Sequence, residues 1–198
     1  EIEVPSLEEQ IRDKYKIEKN YEIDEASVIV LDEKGKRYRL PKGDDAFNKV
    51  SDTAYRCIRE VVTERYLMNA HGSFYELPRE SAGGVAKIKP ISTHNRKIHD
   101  FASWRGMFVM SGNLNDALED EHYIISDDGK TGLWFGNVDD LWKFGAPYGE
   151  GGPCFNTRLK ASEPSDPYLM TGYNNKSVSL SHSSEHDVEF TIEVDFMA

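Results

Sequence analysis

YRCIREVVTERYLMNAHGSFYELP, residues 55–78, decides the fold class of this chain. Ala54, Ile58, Val61, Val62 and Arg65 fit a helical period, so residues 53–69 admit a helix as the rival reading. The run Tyr, Cys, Ile, Val, Val, Thr, Tyr is instead rich in β-branched and aromatic residues, which favours extended backbone. The stretch therefore reads as strands over Tyr55–Val62, Arg65–Asn69 and Ser73–Leu77, punctuated by a turn at Ala70-His71-Gly72.

The period of two continues on both sides. SVIVLDEKGKRYRLPKG, residues 27–43, reads as a hairpin with Val28 and Val30 before a turn at Asp32–Gly35 and Tyr38 and Leu40 after it. Short strands are expected at Val85–Pro90, Lys97–Ser103, Gly106–Ser111, Tyr123–Ser126, Thr131–Phe135, Leu141–Phe144, Tyr168–Tyr173, Val178–Ser181 and Val188–Phe196. Turn residues separate them at intervals of about ten residues, a spacing that belongs to sandwiches, barrels and propellers. The single expected helix lies in PSLEEQIRDKYKIEK, where Ser6 and Glu9 have capping-box spacing and Leu7, Ile11 and Tyr15 recur helically. DGKTGLWFGNVDDLWKFG has the look of the inner strands of a propeller blade. The last stretch alternates through Val178, Leu180, Val188, Phe190, Ile192 and Val194, and stops in mid-alternation, which implies a piece of a longer chain.

Composition narrows the class. With 198 residues, 38% hydrophobic and 30% charged, the chain has an ordinary globular balance. A formal net charge of −11 argues against nucleic acid or an anionic membrane surface as partner, because such partners demand a basic patch. No run approaches the ~20 apolar residues of a membrane span, and Glu1 is not followed by a charged-then-apolar leader. Cys57 and Cys154 lie in no CxxC motif and read as free thiols. Fifteen glycines without GxGxxG or a P-loop disfavour a nucleotide-binding α/β fold.

TERYLMNAHGSFYELPRE, KIKPISTHNRKIHDFASWRGMFVMSG, GLWFGNVDDLWKFG, EPSDPYLMTGY and KSVSLSHSSEHDVEFTIEVDF together resemble the C-terminal part of large β-propeller carbohydrate-active proteins of polysaccharide-degrading bacteria. The resemblance spans roughly residues 25–196. It implies an all-β fold: propeller-like blades of short antiparallel strands over 25–160, then a β-sandwich-like segment over 161–198. Residues 1–24 would form a helical or linker segment. It also implies a secreted or periplasmic setting and a carbohydrate ligand, acted on by a glycoside hydrolase or polysaccharide lyase or held by a non-catalytic glycan-binding or scaffolding β-domain. It assigns no cofactor.

The site is argued from residue chemistry. Between Tyr66 and Gly106 stand His71, His94 and His99, with Arg65, Glu76, Arg79, Arg96, Asp100 and Arg105 among aromatics. Strict alternation would put His99, Phe101, Ser103 and Arg105 on one strand face. A histidine there could take a proton from a sugar ring while an arginine neutralises a uronate, the chemistry of a lyase. Hydrolysis would need two carboxylates, from Glu64, Glu76 and Asp100. The candidate catalytic residues are thus His71, Glu76, His94, His99 and Arg105. Arg65, Tyr75, Arg96, Asp100 and Trp104 are candidates for substrate binding, with Trp104 the preferred stacking platform over Trp134 and Trp142. His182 and His186 read as solvated, and no metal motif appears.

Overall fold

The computed structural model describes residues 6–47, 56–62, 65–113 and 121–195. Helix α1 (Leu7–Tyr15) opens on the reciprocal cap written in the sequence. Ser6 Oγ accepts from the Glu9 amide at 3.2 Å, and Glu9 accepts from the Ser6 amide at 2.7 Å. Lys16 ends it in the left-handed conformation at φ 54°, and no residue of the helix is buried. Strands β1 (Tyr21–Ile23), β2 (Val28–Leu31) and β3 (Arg37–Leu40) then form an antiparallel sheet in that order. Its β2–β3 turn is held by the Asp32 carboxylate, which accepts from the Lys34 and Lys36 amides at 2.8 Å each.

The stretch 55–78 resolves as strands where it is described. β4 (Cys57–Val62), β5 (Arg65–Ala70), β6 (Ser73–Leu77) and β7 (Lys89–Thr93) make a four-stranded antiparallel meander in sequence order. β8 (Lys97–Trp104), β9 (Met107–Asn113), β10 (Tyr123–Ile125) and β11 (Gly132–Asn137) make a third antiparallel sheet, ordered β10-β11-β9-β8. The chain is mostly β, with three antiparallel sheets and one short α-helix among the described residues.

The β4–β7 sheet is the middle layer. Cys57, Val61, Leu67, Phe74 and Ile91 face the third sheet's Ile98, Phe101, Phe108, Met110 and Trp134 in one core. Met68, Ala70 and Tyr75, on the opposite face, pack with Val28, Val30 and Leu40 of the first sheet in a second. A strand covered on both sides has no polar face to display, so β5 and β6 read as near-continuous apolar runs. Edge strands β4 and β8 lie side by side: the Cys57 thiol and Arg59 guanidinium donate to Asp100, and Ser103 Oγ donates to the Val61 carbonyl.

The chain returns to the first sheet near its end. Arg39, 9% exposed, donates to Asp24 at 2.8 Å and to Asp166 at 3.0 Å, while its amide donates to Pro167 and its carbonyl accepts from Leu169.

Several expectations change. Leu141–Phe144 is not a strand: Val138–Lys143 is a 3₁₀ helix closed by Asn137 and Asp140, and its Val138 and Leu141 plug the core. Val85–Pro90 divides into a 3₁₀ turn (Gly84–Lys87) and β7. From Gly151 to Asp195 no strand forms among the described residues, beyond a single bridge of Tyr168 to Arg39. Val178, Leu180, Val188, Phe190, Ile192 and Val194 are all exposed there. Alternation makes a ladder only where a sheet edge is offered, and this stretch meets none among the described residues. Both cysteines are free thiols. No described helix is long and apolar enough to cross a membrane.

Candidate functional site

Two hairpin turns carry the candidate residues. Ala70 pairs with Ser73, so His71 and Gly72 alone connect β5 to β6, with φ of 47° and 74°. Trp104 pairs with Met107, so Arg105 and Gly106 alone connect β8 to β9, with φ of 53° and 85°. Two left-handed residues in a two-residue loop define a type I′ turn, whose twist matches that of the flanking strands.

The His71 turn is sealed. The ring is 2% exposed, and its Nδ1 accepts from the Gly43 amide at 3.1 Å, which fixes the proton on Nε2. That Nε2 is buried without a partner among the described residues. Burial, then the Lys42 charge, push the imidazole's pKa below its ordinary value. His94, 6% exposed, uses both nitrogens: Nε2 meets Asn69 Oδ1 at 2.9 Å and Nδ1 accepts from the Arg96 amide at 3.1 Å. Burial first and the Arg96 charge second drive it down to about 3. Both rings lie 6.1 Å from Phe47. The structure brings His71 and His94 together, as neutral rings packed into a wall.

The Arg105 turn projects. Trp104 is 65% exposed, the Arg105 guanidinium lies 4.8 Å over its ring, and the cross-strand neighbour Met107 is exposed too. At the same end of the strands Arg65 sits 4.9 Å over Trp142, itself 43% exposed, and reaches Asp139 at 3.4 Å. The two turns lie at opposite ends. β4 runs beside β8 from Cys57 at Asp100 to Val61 at Ser103, and Cys57 pairs with Asn69. At about 3.3 Å per residue, roughly 15–20 Å of strand separates His71 from Arg105.

The remaining candidates stand apart. Asp100 is held by Cys57 at 2.9 Å and Arg59 at 2.8 Å, contacts that overcome burial and lower its carboxyl below the usual range. The Cys57 thiol is pushed up to about 11, by burial first and Asp100 second. His99 is the extra residue of a β-bulge: Ile98 faces Gly112 and Asp100 faces Ser111, leaving it between them. The bulge breaks the expected face, since Phe101 points into the core and Arg105 belongs to the turn. Tyr75 is 1% exposed in the core between the first two sheets, where burial raises its phenol, so it cannot reach a ligand. Glu76 is half-buried in the ladder opposite Leu67 and Lys89. Arg96 lies 4.4 Å over Phe144 and donates to the Tyr123 hydroxyl. Trp134 is core, at 1%. Glu64 lies outside the described residues.

Sequence reading missed the Gly43 strap over His71, whose signal is only a glycine in a polar loop. It also ranked Trp142 as core. The Trp-Arg-Gly-Met turn, by contrast, has the residue-then-glycine signature of a tight hairpin. No family model, curated protein or solved structure matches the chain.

Proposed function

We propose that this chain is a glycan-binding β-domain of a larger carbohydrate-active protein, with Trp104 as its sugar platform. The observation that carries the reading is the exposed indole at the tip of a rigid two-residue turn, flanked by exposed Met107 and backed by a guanidinium. A flat ring held by a strand offers its face to pyranose C–H groups at little entropic cost. Large apolar side chains gathered on a surface otherwise go unexplained. Trp142 with Arg65, at the same end, supplies a second platform.

Binding fits the arrangement better than glycosidic cleavage. A hydrolase needs two carboxylates facing each other across a bond, and a lyase needs a base beside a neutralising cation. Here Asp100 is engaged by Cys57 and Arg59, while His71 and His94 are buried at the end away from Arg105. The face-to-face stacking of three antiparallel sheets supports a propeller-like build. On this reading the protein works where polysaccharide is met, in a secreted or periplasmic setting.

Affinity electrophoresis of the full chain against a panel of polysaccharides tests it. The wild type is retarded by at least one gel, and Trp104→Ala loses about tenfold or more in affinity. Absence of retardation on every polysaccharide, or an unchanged Trp104→Ala, would end the proposal.

A further inference from the structure

The neighbours of Arg105 narrow the class of sugar, on the reading of Trp104 as a platform. The chain carries 35 acidic against 24 basic residues, so an arginine on its surface has carboxylates in excess. Arg12, Arg37, Arg39, Arg59, Arg65 and Arg79 each meet one. Arg56, which meets Asn20 and the Tyr21 ring, and Arg105 do not: among the described residues the Arg105 guanidinium meets only the Trp104 ring.

The position is also conformationally unfavourable for arginine. At φ 53° the first residue of a type I′ turn favours asparagine or glycine, whose backbones tolerate the left-handed region. Nothing in the packing demands arginine there. Residues 104–107 are exposed, and among the described residues a Cβ added at Gly106 would meet no atom within 4 Å. A left-handed backbone bearing an exposed cation with no carboxylate partner among the described residues is open to a ligand anion, whereas the same backbone at His71 is covered.

The geometry supplies the ligand's other half. The Arg105 guanidinium lies over one face of the Trp104 indole, and the residue is 65% exposed. A pyranose stacked on the opposite face would present its exocyclic substituent at the ring edge, where Arg105 would swing off its own face of the indole to meet it. The guanidinium fork matches the paired oxygens of a carboxylate or a sulfate ester.

We propose that the β8–β9 turn selects anionic glycans, Trp104 stacking the sugar ring and Arg105 pairing with the oxyanion it bears. The chain's excess of negative charge makes such selection depend on this local cation rather than on the overall field.

The test is calorimetry of the full chain with three oligosaccharide series of equal length: neutral, uronate and sulfated. The wild type is expected to bind at least one anionic series tenfold or more tightly than the neutral one, with a preference that shrinks as salt rises from 50 to 500 mM. Arg105→Ala should bring the ratio of anionic to neutral affinity to about one, and Arg105→Lys should keep only part of the preference. Arg105→Asn, which suits the turn, guards against loss of folding and should behave as the alanine variant does. The uronate and sulfated arms identify the oxyanion. Equal binding of all three series by the wild type, or a preference that survives Arg105→Ala, overturns the inference while the platform reading stands. Failure of the wild type to bind any series overturns both.

Discussion

The turns at His71-Gly72 and Arg105-Gly106 share one backbone and have opposite surroundings. Each joins two antiparallel strands through two left-handed residues, a basic side chain followed by glycine. Gly43 and Phe47 close over the first, whereas the second stands in solvent. Turn type therefore sets hairpin geometry without deciding whether the turn is a rivet or a probe. What covers it decides that.

The largest contrast comes from the glycines. A Cβ at Gly72 would meet the His94 carbonyl oxygen and the Phe47 ring at 2.7 Å, in addition to an unfavourable φ. Gly72→Ala should cost about 3 kcal/mol or more, from overpacking plus backbone strain. Gly106→Ala should cost only about 1–2 kcal/mol, the backbone term alone. Urea denaturation of the two variants measures the difference; equal midpoint shifts would mean that the His71 turn is not sealed.

Between pH 7 and 5 the two buried histidines put an acid-sensitive element at the His71 end. The pKa values of His71 and His94 lie below the unfolded value of about 6.5, so their contribution to stability is complete above that pH. As pH falls below 6.5 the unfolded chain takes up protons that the folded rings refuse. His94 alone then removes about 1.4 kcal/mol per pH unit, until its folded value of about 3 is reached. Denaturation midpoints at pH 7 and 5 should fall less in His94→Gln than in the wild type, from a lower starting point. An identical fall would show that His94 is accessible to protons in the fold.

The smallest effect is the most discriminating. Asparagine suits the first position of a type I′ turn, so Arg105→Asn should stabilise by up to about 1 kcal/mol. His71→Asn meets the same backbone preference but loses the ring that accepts from Gly43 and packs near Phe47, and should destabilise by about 1–3 kcal/mol. Matching signs in the two variants would erase the distinction between the turns.

Strand chemistry made strands β4–β6, the α1 cap and the β2–β3 hairpin legible, because each is a local statement about propensity or hydrogen-bonding reach. The misreadings are all non-local. His99 left its expected face because a bulge in β8 absorbs one residue, and bulges answer to the partner strand. Leu141 and Trp142 show strand-like residues, yet Asn137 and Asp140 cap a 3₁₀ turn that drops Leu141 into the core. Residues 178–194 alternate without a sheet edge to join. Of the candidate residues, the exposure of Trp104 was legible from its polar neighbours Ser103 and Arg105, whereas the turn that holds Arg105 reads in sequence as a strand face. The burial of His71, His94 and Tyr75 depended on which layers lie above and below the middle sheet, information that no single segment contains.

The Arg39 junction has a consequence for biosynthesis. Asp166, which Arg39 must reach, lies 127 residues further along the chain. While the polypeptide emerges from the ribosome, β3 waits without its Tyr168 bridge and its guanidinium holds Asp24 but not yet Asp166, long after the two later sheets have been made. Contacts of such wide sequence separation form late. The sheet synthesised first is completed last, and a nascent chain halted before Asp166 presents the open β3 edge to whatever meets it.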